Sequence, residues 1–141
     1  MRLRDWEARL SAFLAERRDM PFAWGSMDCA LFATAAAAAQ TGDDRAAEYR
    51  GTYTDRKGSA AALRCLGKGT LLRTMDSLFP RCPPAFARRG DLVWFKGSVG
   101  VCVGGEALFV GEVRVAKAAG VMLREGLIAV PRGEWTRAWR V

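Results

Sequence analysis

The residues best suited to chemistry are Trp24-Gly25-Ser26-Met27-Asp28-Cys29, which bring an acid and a thiol to the start of a helix. Asp28 is a good N-cap residue, able to accept from the free amides of the first helical turn. Cys29 stands in that turn, where unpaired N–H groups and the positive end of the helix dipole favour thiolate. That is how a nucleophile is prepared, although the Asp28 carboxylate works in the opposite sense if it stays close. A lone cysteine at a helix start is structural more often than catalytic. A working thiol also needs a base, and base catalysis is worth about 10²–10⁴-fold. The chain contains no histidine. That excludes Ser-His and Cys-His machinery and every metal site that needs imidazole.

The other three cysteines, Cys65, Cys82 and Cys102, lie in apolar or proline-rich surroundings and read as small buried hydrophobes. No C-x-x-C pair is present, so no zinc ribbon, redox site, metal or cofactor is expected. Lysine and arginine exceed aspartate and glutamate by 22 to 15, a net charge of +7. The arginines are scattered, the tightest pairs being Arg17-Arg18 and Arg88-Arg89. A nucleic-acid surface needs a contiguous basic stripe, often with exposed aromatics, so specific nucleic-acid binding is not expected. A solvated or protein-docking surface fits better.

The elements that must position Cys29 follow from spacing. Trp6, Leu10, Phe13 and Leu14 fall on one face of a helix from about Asp5 to Arg17. Phe22 and Trp24 are expected to anchor the loop leading to Asp28. A second, alanine-rich helix from Cys29 to Gln40 stops at Thr41-Gly42 and should be central, because alanine permits close approach. One or two turns over 43–49 and short helices near 59–66 and 71–79 follow. After Arg89-Gly90 the pattern changes to short apolar runs separated by glycine: 91–95, 99–103, 107–110, 113–116 and 127–130. They suit a small, bent antiparallel sheet with a tight turn at Gly104-Gly105. Gly90-Asp91 makes the turn into the first strand. Trp135 and Trp139 are expected to finish the core. The 141 residues therefore form one α+β domain, mainly helical over 1–80 and mainly strands over 90–141. No apolar run approaches a membrane span of about 18 residues, and the start lacks a signal-peptide core, so no export by that route is expected.

Trp24-Gly25-x-x-Asp28-Cys29 resembles the nucleophile motif of the NlpC-type cell-wall cysteine peptidases, a branch of the papain-like superfamily. Arg89-Gly90-Asp91-Leu92-Val93-Trp94-Phe95, followed by Val99-Gly100-Val101-Cys102-Val103-Gly104, is similar to that family's paired strands. The likeness covers about Phe22 to Gly111. More closely, the whole chain resembles a set of short proteins encoded among the tail genes of bacteriophages and prophages. They share the Trp-Gly-x-x-Asp-Cys-Ala start, the loop at Arg50-Gly51-Thr52-Tyr53 and the ending Ala138-Trp139-Arg140-Val141.

The resemblance implies a papain-like NlpC-type fold, helices packed on the sheet, with Cys29 at the nucleophile position. In the peptidases a histidine directly before Val-Gly is the base. Here that position is Ser98, and the third triad member would fall near Val110 or Gly111, neither polar. Asp28, Glu106 and Asp91 are other carboxylates, but no spacing nominates them as bases. The expectation is a degenerate, inactive domain serving as a tail-tip, baseplate or tail-assembly protein, assembled in the host cytoplasm and carried in the virion beside other tail proteins. The alternative is a peptidoglycan-cleaving peptidase or amidase using Cys29.

Overall fold

The computed structural model describes residues 1–117 and 120–141, with side chains outside 112–124. Among them, four α-helices precede a six-stranded antiparallel sheet of order β1-β6-β2-β3-β4-β5.

Helix α1 (Trp6–Arg17) turns Leu10 and Leu14 into the core, and Phe13 stacks on Phe32 at 5.7 Å. Asp5 is its N-cap residue, and the carboxylate there binds the Arg9 guanidinium at 2.8 Å rather than a backbone amide. Helix α2 (Cys29–Thr41) is buried along most of its length, with Ala33, Ala36 and Ala37 letting it approach the sheet. Gly42 ends it in the left-handed region at φ 77°, where its N–H returns to the Ala38 carbonyl at 2.8 Å. Glycine, lacking a Cβ, reaches that conformation at no steric cost.

A single 3₁₀ turn (Ala47–Tyr49) leads to α3 (Arg56–Cys65) and α4 (Leu71–Leu78). Helix α3 starts three residues before Ser59 because Asp55 caps it, accepting from the Gly58 amide at 2.6 Å. It buries none of its residues fully. Cys65, its last residue, is exposed rather than buried; Cys82 is half-buried and Cys102 buried.

The strands are β1 (Arg81–Cys82), β2 (Leu92–Phe95), β3 (Ser98–Cys102), β4 (Glu106–Lys117), β5 (Gly120–Pro131) and β6 (Arg137–Trp139). Alternation sorts them onto two faces. Leu92, Val99, Val101 and Trp139 pack with Phe32, Ala36 and Met75 on the helical side. Val93, Cys102, Ala107, Trp135 and Ala138 form a second cluster on the other side. The Gly104-Gly105 turn is closed by the Val103 amide on the Glu106 carbonyl at 2.9 Å. Runs 107–110 and 113–116 are one strand rather than two. Gly111 between them pairs with Gly126, and a Cβ there would stand 2.7 Å from Ile128. That glycine marks close packing inside a strand rather than a break.

Both ends of the described chain meet at Asp91, which is 1% exposed. Its carboxylate accepts from Arg2 Nη2 at 3.0 Å, the Val141 amide at 3.1 Å and the Arg88 amide at 2.9 Å, with Arg140 Nη1 at 3.6 Å. Buried Gln40 ties this knot to α2, accepting from Arg2 Nε at 2.9 Å and donating to the Gly90 carbonyl at 2.9 Å. A Cβ on Gly90, at φ 90°, would collide with the Gln40 amide. Gly90-Asp91 thus turns the chain into β2 and anchors it at once.

Candidate functional site

The start of α2 is held from three directions. Asp28, 2% exposed, accepts from the Leu31 amide at 3.0 Å through Oδ1. Its Oδ2 accepts from the Gly25 amide at 3.1 Å and from the Tyr53 hydroxyl at 2.6 Å. Gly25 sits at φ 82°, and a Cβ there would run into the Tyr53 carbonyl oxygen. The Gly51 amide donates back to the Gly25 carbonyl at 2.9 Å. Arg50 locks the loop by gripping Asp44 at 2.7 and 3.0 Å and the Leu31 carbonyl at 3.1 Å. The two separated sequence motifs, 24–29 and 50–53, are therefore one structure. Burial, then the Asp28 carboxylate, push the Tyr53 phenol well above its ordinary range, so it stays a hydrogen-bond donor.

Cys29 is half-buried at the edge of a cleft of about 430 Å³. Its sulfur faces the start of β3, where the Ser98 hydroxyl and the Val99 amide are near enough to favour the thiolate. The segment 24–29 and Ser98 are thus brought together across 70 residues by the packing of α2 on β3. Burial nevertheless raises the Cys29 thiol above its ordinary range, and Asp28 adds to the rise; the opposing influence of Ser98 and the Val99 amide only partly offsets them. A helix N-terminus is worth about 0.3–1 kcal/mol to an anion, less than one pKa unit at about 1.4 kcal/mol per unit. Desolvation, which opposes the charged form of any buried thiol, is the largest influence on this sulfur. Burial wins, and the thiol is neutral near pH 7.

The remaining expected residues fall elsewhere. Trp24 and Phe22 do not anchor their loop in the core: they are 37% and 40% exposed, stack edge to face at 4.9 Å and line the cleft mouth. Met27, 2% exposed, is the anchor, with an Ala23–Met27 bridge closing the loop. Gly90 and Asp91 lie outside the cleft lining, and every Asp91 contact is structural. Val99 is in the core, and Gly100 is bare because a Cβ would stand 2.7 Å from the Phe109 ring. Val110 lines the cleft without a polar side-chain atom, and exposed Glu106 does not reach it.

Sequence reasoning missed the partners of Asp28 and the far wall of the cleft. That wall is the α3 face of Arg56, Ser59, Ala60 and Leu63, facing Leu71, Met75 and Leu78 of α4. The signal was the i, i+3, i+4, i+7 spacing within α3. Of the described residues lining the cleft, only Asp28 and Arg56 are charged, and Asp28 is spent on three protein donors. No group there is free to take a proton from sulfur. Among the described residues no cluster is fit to hold a metal, and no helix is long and apolar enough to cross a membrane.

Fold and site together define a small α+β domain with an apolar, thiol-bearing cleft at a capped helix start. The chain belongs to the family described as a domain of unknown function, DUF6950, whose profile spans residues 1–141. Comparison with curated proteins and with solved structures finds no match.

Proposed function

We propose that this chain is an NlpC-like, papain-like domain with a degenerate catalytic site, serving as a structural or assembly component of a bacteriophage tail tip or baseplate. Its partners are other tail proteins and its final location is the virion. The observation that carries the non-catalytic part is the environment of Cys29. The thiol is raised by burial and by Asp28, and its neighbour across the cleft is the Ser98 hydroxyl, which does not accept a proton near neutral pH. The phage-tail part is supported by the likeness of segments 24–29, 50–53 and 138–141 to tail-gene proteins. All three segments have folding duties here: capping, loop locking and closing the Asp91 knot.

The test incubates purified protein with peptidoglycan and with muropeptides, beside Cys29→Ala and Ser98→His. The parent is expected to release nothing. Ser98→His places an imidazole next to the sulfur, and product appearing only in that variant supports a decayed hydrolase. Release by the parent that disappears in Cys29→Ala makes the protein a peptidase or amidase and overturns the proposal. An inventory of purified virion proteins tests the location; the chain is expected among them, and its absence confines it to assembly.

A further inference from the structure

Helix α3 presents Arg56, Ser59, Ala60 and Leu63 along one wall of the cleft, while none of its residues is fully buried. The spacing of seven residues from Arg56 to Leu63 covers about 10.5 Å at a helical rise of about 1.5 Å per residue. That is the length of three extended residues at about 3.3 Å each. The volume, about 430 Å³, lies within the usual ligand-pocket range of about 300–1,000 Å³. At the mouth, Trp24 and Phe22 hold exposed aromatic rings in contact with each other. The Arg56 side chain is exposed and has no hydrogen bond or ion pair with any of the described residues. The cleft thus offers one uncommitted cation at one end and an apolar trough leading to Leu63, Leu71 and Met75.

We infer that this cleft seats the carboxyl-terminal three residues of a partner protein, its free carboxylate on Arg56 and its apolar side chains between Leu63 and Met75. The aromatic pair at the mouth covers the segment as it enters. Resting on the non-catalytic reading of the same cleft, this assigns to it the recognition of a chain end that is held and not cut. A guanidinium pairs with a carboxylate through two parallel N–H donors, which an amide end cannot match. The hydroxyl oxygens of Ser59 and Ser98, which also line the cleft, can accept from the segment's backbone amides.

The test is fluorescence anisotropy with labelled pentapeptides whose last three residues are drawn from Leu, Val, Ile, Phe, Met and Ala. Each is made as free acid and as amide, with decanoate as a carboxylate competitor lacking a peptide backbone. Free acids are expected to bind about ten-fold tighter than their amides, as for a hydrogen bond to a charged group. Arg56→Gln should erase that difference, and Leu63→Ala should weaken both forms. Arg56 has no side-chain partner among the described residues, so its variant reports binding alone; matching thermal midpoints check this. Equal binding of acids and amides, no binding by any pool member at 1 mM (about 4 kcal/mol), or displacement by decanoate at lower concentration than by peptide would each overturn the inference. Mass spectrometry of the recovered peptides separates failure of the non-catalytic reading, seen as truncation, from failure to bind.

Discussion

At the residue scale, Asp28 and Gly25 fix the geometry around the sulfur. Asp28→Ala removes the helix cap and strands the Gly25 amide and Tyr53 hydroxyl in a buried setting. A lost cap costs about 0.5–2 kcal/mol, and each stranded buried group about 1–3 kcal/mol. Chemical denaturation is therefore expected to show a loss of about 3 kcal/mol or more, beyond a cap alone. Tyr53→Phe should cost less, since Asp28 keeps its two backbone donors. Gly25→Ala faces both a left-handed φ and the Tyr53 carbonyl, so it should destabilise by more than about 1 kcal/mol, where an unstrained glycine-to-alanine change would stabilise. A wild-type midpoint for Gly25→Ala would contradict the close fit of the two loops.

At the scale of elements, much was legible and the remainder was hidden for physical reasons. The face of α1 follows from apolar spacing, the central place of α2 from its alanines, and the ends of α2 from Asp28 and Gly42, whose roles are local chemistry. β2 and β3 were visible as short apolar runs separated by glycine. β1 and β6 were not, because two- and three-residue strands are too short to carry a period and exist through pairing across the sheet. Glycine misled at 111, where it serves packing within a strand. The cleft's α3 wall escaped because its duty depends on which element it faces, which spacing alone does not encode. Phe22 and Trp24 escaped in the opposite sense: large aromatics read as core unless their neighbours are known. Trp139 shows the legible case. It is fully buried against Trp94 and donates to Asp76 at 2.9 Å. Trp139→Ala should cost about 3–5 kcal/mol in denaturant titration, and a loss under 1 kcal/mol would remove it from the core.

At the scale of the whole molecule, charge and pH dependence follow from a few placed pairs. Arg50 holds Asp44 below the usual carboxylate range, and Arg81 does the same for Asp76, each chiefly by hydrogen bonding. A lowered folded pKa contributes stability above the unfolded value and loses it as pH falls through the carboxylate range. Burial raises Cys29 and Cys102, so their contribution is present at neutral pH and is lost as pH climbs past the ordinary thiol range. Thermal midpoints should therefore form a plateau around neutrality with a fall on each side. Asp44→Asn should flatten the acid limb, and an unchanged acid limb would deny that pair a role. The knot at Asp91 joins residues 2, 88, 140 and 141 to the start of β2. Asp91→Ala leaves buried donors and a part-buried arginine without their acceptor, for which a loss of about 3–5 kcal/mol is expected.

The central claim is that the cleft keeps a cysteine in the geometry of a nucleophile without making it one. The rate of Cys29 alkylation by iodoacetamide, followed by peptide mass spectrometry from pH 5 to 10.5, measures that directly, with exposed Cys65 as internal reference. Cys29 is expected to react more slowly than Cys65 at every pH, with its rate still rising above the ordinary thiol range. A rate plateau reached below pH 7 would mean an activated thiolate and would contradict the account.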